Sequence, residues 1–198
     1  MKVIKISFFG WHNCPRNVKS QINKLVEFVK EAPEVNVEGV YLHGSLAMGC
    51  FNPDRSDLDI LVITKDNMNV NIKRVIIEKL LSLSKQPCPI EISFLSKRHL
   101  FPWEFPTPFD LHYSEMWREA YINQLKNQEW KKWNEKTHKD ADLAAHILVT
   151  LNRGICLYGK PVKEVFPPVP LDDYQTSILL DYKDAREKIG EKPVYAVL

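Results

Sequence analysis

The sequence predicts an α/β (α+β) fold: a small mixed sheet flanked by helices over residues 1–105, then helices only over 106–198. Two observations predict it. Up to about Leu95, apolar residues recur first at helical spacing and then at strand spacing, in the order helix, strand, strand, helix, strand. After Phe101 no strand-like alternation of comparable length returns.

The elements follow in order. Val18, Ile22, Leu25, Val26 and Val29 lie on one helical face, and Ala32-Pro33 stops that helix. Strands are expected near 38–43 and 58–64. Ile72, Ile76, Leu80 and Leu83 mark a second amphipathic helix, and residues 89–96 a third strand with Ile90, Ile92 and Phe94 on one face and Glu91 on the other. The prolines and aromatics from Phe101 to Pro108 read as a linker or pocket edge. Helices are expected over about 113–128, 140–157 and 171–188, with Gly159 and Pro161 stopping the second.

The chemistry-bearing run begins where the first strand ends. In Val40-Tyr41-Leu42-His43-Gly44-Ser45 the glycine lets backbone N–H groups approach phosphate oxygens, and the serine adds a hydroxyl. Asp57 and Asp59 are two residues apart at the start of the apolar run Ile60-Leu61-Val62-Ile63, so both carboxylates point to one face. Two hard oxygen ligands on one edge suit Mg2+ bridging to substrate phosphates, and burying them without a cation would be costly. Glu91 is a third acid, which by itself also reads as an outward-facing strand residue.

Composition narrows the classes. The 198 residues, 44% hydrophobic, are enough to bury a full core, and a net charge of +2 from scattered residues argues against a general nucleic-acid binder. Cys14, Cys50, Cys88 and Cys156 are isolated, which suggests neither a zinc knuckle nor a disulfide framework and fits a reducing cytoplasm. The apolar N-terminal run is short and broken by Lys5, unlike an export signal, and no stretch reaches membrane-spanning length. Cys50, although between Ser45 and Asp57, has no neighbour that marks an activated thiol. His138, Asp142 and His146 fall four residues apart on the expected helix, a span too long to close on one zinc ion, and read as a solvated face.

Gly44-Ser45 with Asp57-Leu58-Asp59 resembles the signature of the polymerase-beta-like nucleotidyltransferase superfamily. Tyr41 to Ala47, Ser56 to Val62, Phe105 to Ser114, Trp117-Arg118-Glu119 and Leu157 to Pro161 are similar to the bacterial adenylyltransferases that modify streptomycin and spectinomycin. The resemblance implies transfer of AMP from Mg-ATP to a hydroxyl of a small cationic acceptor, with no nucleic-acid or membrane partner. It implies Asp57 and Asp59 as metal ligands, Gly44, Ser45 and Ser56 as phosphate-positioning residues, and Glu91 as proton acceptor or added metal ligand. It also points to Trp117 as an acceptor contact, although a core tryptophan fits that position equally. Trp103, Trp130 and Trp133 read as packing residues. Where streptomycin-modifying relatives carry a tryptophan and aspartates, this chain has Tyr182, Glu187 and Glu191, which as substrate-binding candidates turn the expectation towards spectinomycin or another acceptor. Other readings are a transferase acting on protein or RNA, and a nucleotide-binding regulator without turnover; three retained acids argue against the last. Lys192 to Leu198 ends without a cap, so the chain is expected to be a shortened member or a piece whose turnover is slow or absent.

Overall fold

The structure is a computed structural model and describes residues 8–32 and 34–188. Helix α1 (Arg16–Glu31) starts after Pro15, whose fixed φ suits a helix entry, and buries Val18, Ile22, Leu25, Val26 and Val29. Ala32 is already extended, as a residue before proline prefers; Pro33 lies outside the described residues. Strand β1 (Val37–Leu42) leads into a short helix α2 (Gly44–Met48), then β2 (Leu58–Thr64), α3 (Val70–Leu83) and β3 (Ile90–Ser96). The Asn69 side chain caps α3 by accepting the Ile72 N–H at 3.0 Å. This is the expected order of the N-terminal elements, with α2 added where a simple turn was expected.

The remaining elements are α4 (Lys97–Leu100), β4 (Thr107–Phe109), β5 (Leu111–Tyr113), α5 (Arg118–Lys126), β6 (His138–Asp140), α6 (Leu143–Arg153), β7 (Ile155–Gly159), α7 (Val162–Val165) and α8 (Leu171–Lys188). The helices expected after Phe101 are present as α5, α6 and α8, but the segment also supplies strands. β5 and β7 complete a five-stranded sheet of order β5-β3-β2-β1-β7, in which only β2 and β3 run parallel. The expected helix over 140–157 ends at Gly154, and the run Ile155 to Tyr158, which opens on a β-branched and closes on an aromatic residue, pairs instead with the free edge of β1. β5 is three residues long, too short to show an alternation. The sheet therefore draws strands from both sides of residue 105.

The two faces of this sheet differ. Val40, Leu42, Leu58, Ile60, Val62, Ile90, Ile92 and Phe94 pack with the apolar faces of α1 and α3 into the larger core. Gln21 staples these helices together: its amide donates to the Leu83 and Cys88 carbonyls and accepts the Cys88 N–H, leaving no buried polar atom idle. The opposite face carries Tyr41, Leu61, Ile63 and Leu95 at one end, packed against Leu143 and Ile147 of α6 and against Val165 and Phe166. A separate polar cluster pins the loop after α3 to α5. Glu115 accepts from Arg118, Ser84 and Tyr113 and pairs with Lys85, so it stays well below the usual carboxylate range.

Candidate active site

The other end of that second face is polar. Parallel pairing puts Asp59 beside Glu91 in register, and Asp57 immediately precedes β2. One carboxylate oxygen from each of Asp57, Asp59 and Glu91 lies within 4.8 Å of the others, and all three side chains are half-buried. The period-two alternation that sends Leu58, Ile60 and Val62 into the core sends these acids the other way.

Gly44 closes the site from β1. Its φ is +60°, and a Cβ there would stand 1.8 Å from Asp59 Oδ2, so only glycine permits both the turn and the close approach of the carboxylate. The His43 N–H donates to the Asp59 carbonyl at 3.0 Å, tying turn to strand. The Ser45 backbone N–H donates to the Asp59 carboxylate. The Ser45 hydroxyl oxygen is buried without a hydrogen-bond partner among the described residues, a polar group left over for a ligand. Ser56 is engaged in its own loop: its hydroxyl accepts the Asn52 N–H at 3.1 Å and its N–H donates to the Asn52 carbonyl at 2.8 Å, which shapes the approach to Asp57.

Three acids so close cannot all ionise cheaply. Burial raises Asp59 to about 8, with the charges of Asp57 and Glu91 adding to it. Burial likewise raises Glu91 to about 7, with Asp57, Asp142 and Asp140 contributing, and raises Asp57. For Asp59 such a shift disfavours the anion by on the order of 5 kcal/mol. A bound divalent cation would reverse that balance, and three carboxylates are the hard oxygen donors Mg2+ takes. The residues present fit that ion.

Asp142 and His146, read in the sequence as part of a solvated helix face, are instead partly buried and complete the surroundings. His138, Asp142 and His146 do not share a helix: His138 is on β6, whereas Asp142 precedes α6 and His146 lies within it. His146 Nε2 is 3.3 Å from Asp142 Oδ2, and its ring lies 4.9 Å from that of His43. Burial works against a charge on His146, but the bond to Asp142 and the nearby Glu91 and Asp59 raise it to about 9. The four-residue spacing of Asp142 and His146 was the available signal; the turn of the chain that brings them over the acids was not.

A cavity of about 740 Å³ reaches β5, the strand paired with that of Glu91, and is walled by Phe109, His112, Trp117, Tyr121, Trp133, His138 and Asp140 among others. Trp117 is half exposed on the turn before α5, which decides for the pocket wall over the core. Trp133 does both tasks: its ring meets Tyr121 edge-on at 5.3 Å, its Nε1 donates to Gln124, and it lines the cavity. Trp103 donates to Asp173 and packs, as expected. Tyr182 and Glu187 are exposed on α8, outside the walls of this cavity. Glu191 and the segment from Lys192 lie outside the described residues.

Residues 22–102 match the family described as the nucleotidyltransferase domain. Its relatives include the spectinomycin 9-adenylyltransferase of Campylobacter jejuni, 25% identical over 163 residues that make up 80% of this chain and 60% of that protein. The aminoglycoside (3'') (9) adenylyltransferase of Escherichia coli is 25% identical over 79% of this chain and 58% of its own length. The chain thus spans about three fifths of the length of the curated relatives it matches. A spectinomycin adenyltransferase from Enterococcus faecalis, solved with ATP and spectinomycin, superposes with a TM-score of 0.78 and 21% identity over 91% of this chain and 72% of that one, which establishes the common fold. Among the described residues no helix is long and apolar enough to cross a membrane.

Proposed function

We propose that this chain transfers AMP from Mg-ATP to a hydroxyl of an aminocyclitol or aminoglycoside such as spectinomycin, releasing pyrophosphate in the cytoplasm. The observation that carries the reading is the convergence of Asp57, Asp59 and Glu91 within 4.8 Å on the strand edge that Gly44 closes. The relatives' activities and the aromatic-walled cavity that reaches β5, the strand paired with that of Glu91, support it. In this reading residues 1–105 carry the nucleotide chemistry and residues 106–198 the acceptor side.

Asp57 and Asp59, with Glu91 beside them, would hold Mg2+, which when bound neutralises charge on the triphosphate. The unpartnered Ser45 hydroxyl is free to donate to a phosphate oxygen, and the Ser56 loop fixes the position of Asp57. Glu91, in register beside Asp59 and within reach of the same ion, is placed to accept the proton of the attacking hydroxyl. The acceptor oxygen bonds to the α-phosphorus as the bond to the bridging oxygen breaks, the proton passes to Glu91 and pyrophosphate leaves. The aromatic walls offer flat surfaces to sugar rings, and the cavity carries both acids, Glu129, Glu135 and Asp140, and lysines, Lys132, Lys136 and Lys139, for the polar groups of an acceptor.

Pyrophosphate release with Mg-ATP across a panel of aminocyclitols and aminoglycosides tests the proposal. Release that depends on one of these acceptors supports it. Nucleotide binding with no acceptor-dependent release, or AMP attached to protein or RNA instead, would replace it.

A further inference from the structure

A second polar path runs from the acids into the cavity. On β3, Ser93 lies one pleat on from Glu91 and on the same face, since Ile90, Ile92 and Phe94 take the core side. On β5, His112 stands opposite Ser93 in register, and its Nδ1 lies 2.9 Å from Ser93 Oγ. The carbonyl of His112 accepts the Tyr121 hydroxyl, so both ring and main chain are fixed. Nε2 has no hydrogen-bond partner among the described residues, and the residue lines the cavity.

Burial holds the imidazole below its ordinary value against the opposing charge of Asp140, so at neutral pH the ring is uncharged and Nε2 offers one directed hydrogen bond. A histidine needed only to pin β5 to β3 would satisfy its bond to Ser93 and end there. Instead, its free nitrogen belongs to a residue in the wall of the cavity, on the strand that pairs with the strand of Glu91.

We propose that His112, oriented by Ser93, positions the acceptor hydroxyl for attack beside Glu91 and so helps select which hydroxyl reacts. The inference rests on the reading of the cavity as the acceptor site.

The test compares the full chain with His112→Asn, His112→Gln and Ser93→Ala. Spectinomycin is titrated in the presence of Mg-ATP by fluorescence of the cavity tryptophans, Trp117 and Trp133, and steady-state pyrophosphate release is measured alongside. Asparagine keeps a polar group near the Nδ1 position and loses the far end, so its Kd and KM for spectinomycin should rise about tenfold with the KM for ATP unchanged. Glutamine reaches the Nε2 position and should recover much of that loss. Ser93→Ala frees the ring and should cost roughly threefold. Unchanged spectinomycin binding and turnover in His112→Asn would overturn the inference, as would equal losses in both His112 variants together with a matching rise in the KM for ATP, the mark of a structural role. If the unaltered chain neither binds nor turns over spectinomycin or any panel member, the acceptor reading itself fails and takes this inference with it.

Discussion

On β2, Leu58, Ile60 and Val62 enter the core beneath α1 and α3, while Asp59, one residue from each of the first two, faces a site that Glu91, Gly44 and α6 complete. The core face is a continuous apolar surface made by neighbouring elements of residues 16–96. The site face is apolar only where α6 and α7 cover it and is acidic beyond them. The difference teaches that stability and chemistry are separated here by the strand pleat: a change on one face should alter folding, and a change on the other should alter ligand binding and turnover, even between adjacent residues.

The largest expected effect is at Asp59. Asp59→Asn should reduce turnover by roughly a thousandfold and remove most Mg-dependent ATP binding, while the melting temperature holds or rises because the crowding of three acids is relieved. Calorimetric titration of Mg-ATP and a thermal melt read both quantities. Unchanged affinity in both Asp59→Asn and Asp57→Asn would break the metal assignment. Glu91→Gln should separate the acids from one another, keeping Mg-ATP binding and losing on the order of 100-fold in turnover. An equal loss of nucleotide affinity would make Glu91 a metal ligand first.

Ile60→Ala gives the reverse signature one residue away. Loss of a fully buried side chain should cost about 2–5 kcal/mol and lower the melting temperature by roughly 5–15 °C, with the KM for ATP unchanged at temperatures where the chain stays folded. A KM that moved with stability would contradict the separation of faces.

Between pH 5 and pH 9 the raised groups of the site face should dominate the pH dependence of stability. Asp59 and Glu91 have folded-state values of about 8 and 7, above those of exposed carboxyls, so their contribution is fully present below about pH 4 and is lost as pH rises through 7 and 8. His146, raised to about 9, contributes below about pH 6.5 and is lost as pH passes 9. All three act in the same direction. Melting of the EDTA-treated chain should therefore fall from pH 5 to pH 9, and added Mg2+ should restore most at the alkaline end; a flat profile would contradict the clustering of these groups. The smallest effect is expected at the remote Glu115 cluster, where Glu115→Gln should cost roughly 1–3 kcal/mol and leave turnover unaltered.

The same contrast governs what could be read before folding. The core face was legible because helix and strand periods are carried by consecutive residues, and the acids with Gly44 were legible because a two-residue spacing and a glycine are local signals. His112, Asp142 and His146 join the site only through tertiary placement: a three-residue strand, and a helix that begins after the chain has turned from β6 into α6. β7 was read as helix because Gly159 and Pro161 supply a stop signal, whereas Gly154 already ends α6, and the outcome was decided by the open edge of β1. Edge strands of this kind are selected by a partner, which a single sequence does not display.

The fate of the phosphates of ATP tests the central claim most directly. The chain is incubated with Mg2+ and spectinomycin, once with ATP labelled at the α-phosphate and once with ATP labelled at the γ-phosphate, and the antibiotic is isolated and counted. The account predicts α-label on spectinomycin, γ-label in released pyrophosphate, and loss of both signals in Asp59→Asn. Label from the γ-phosphate on the antibiotic, or α-label transfer that persists undiminished without Asp59, would contradict it.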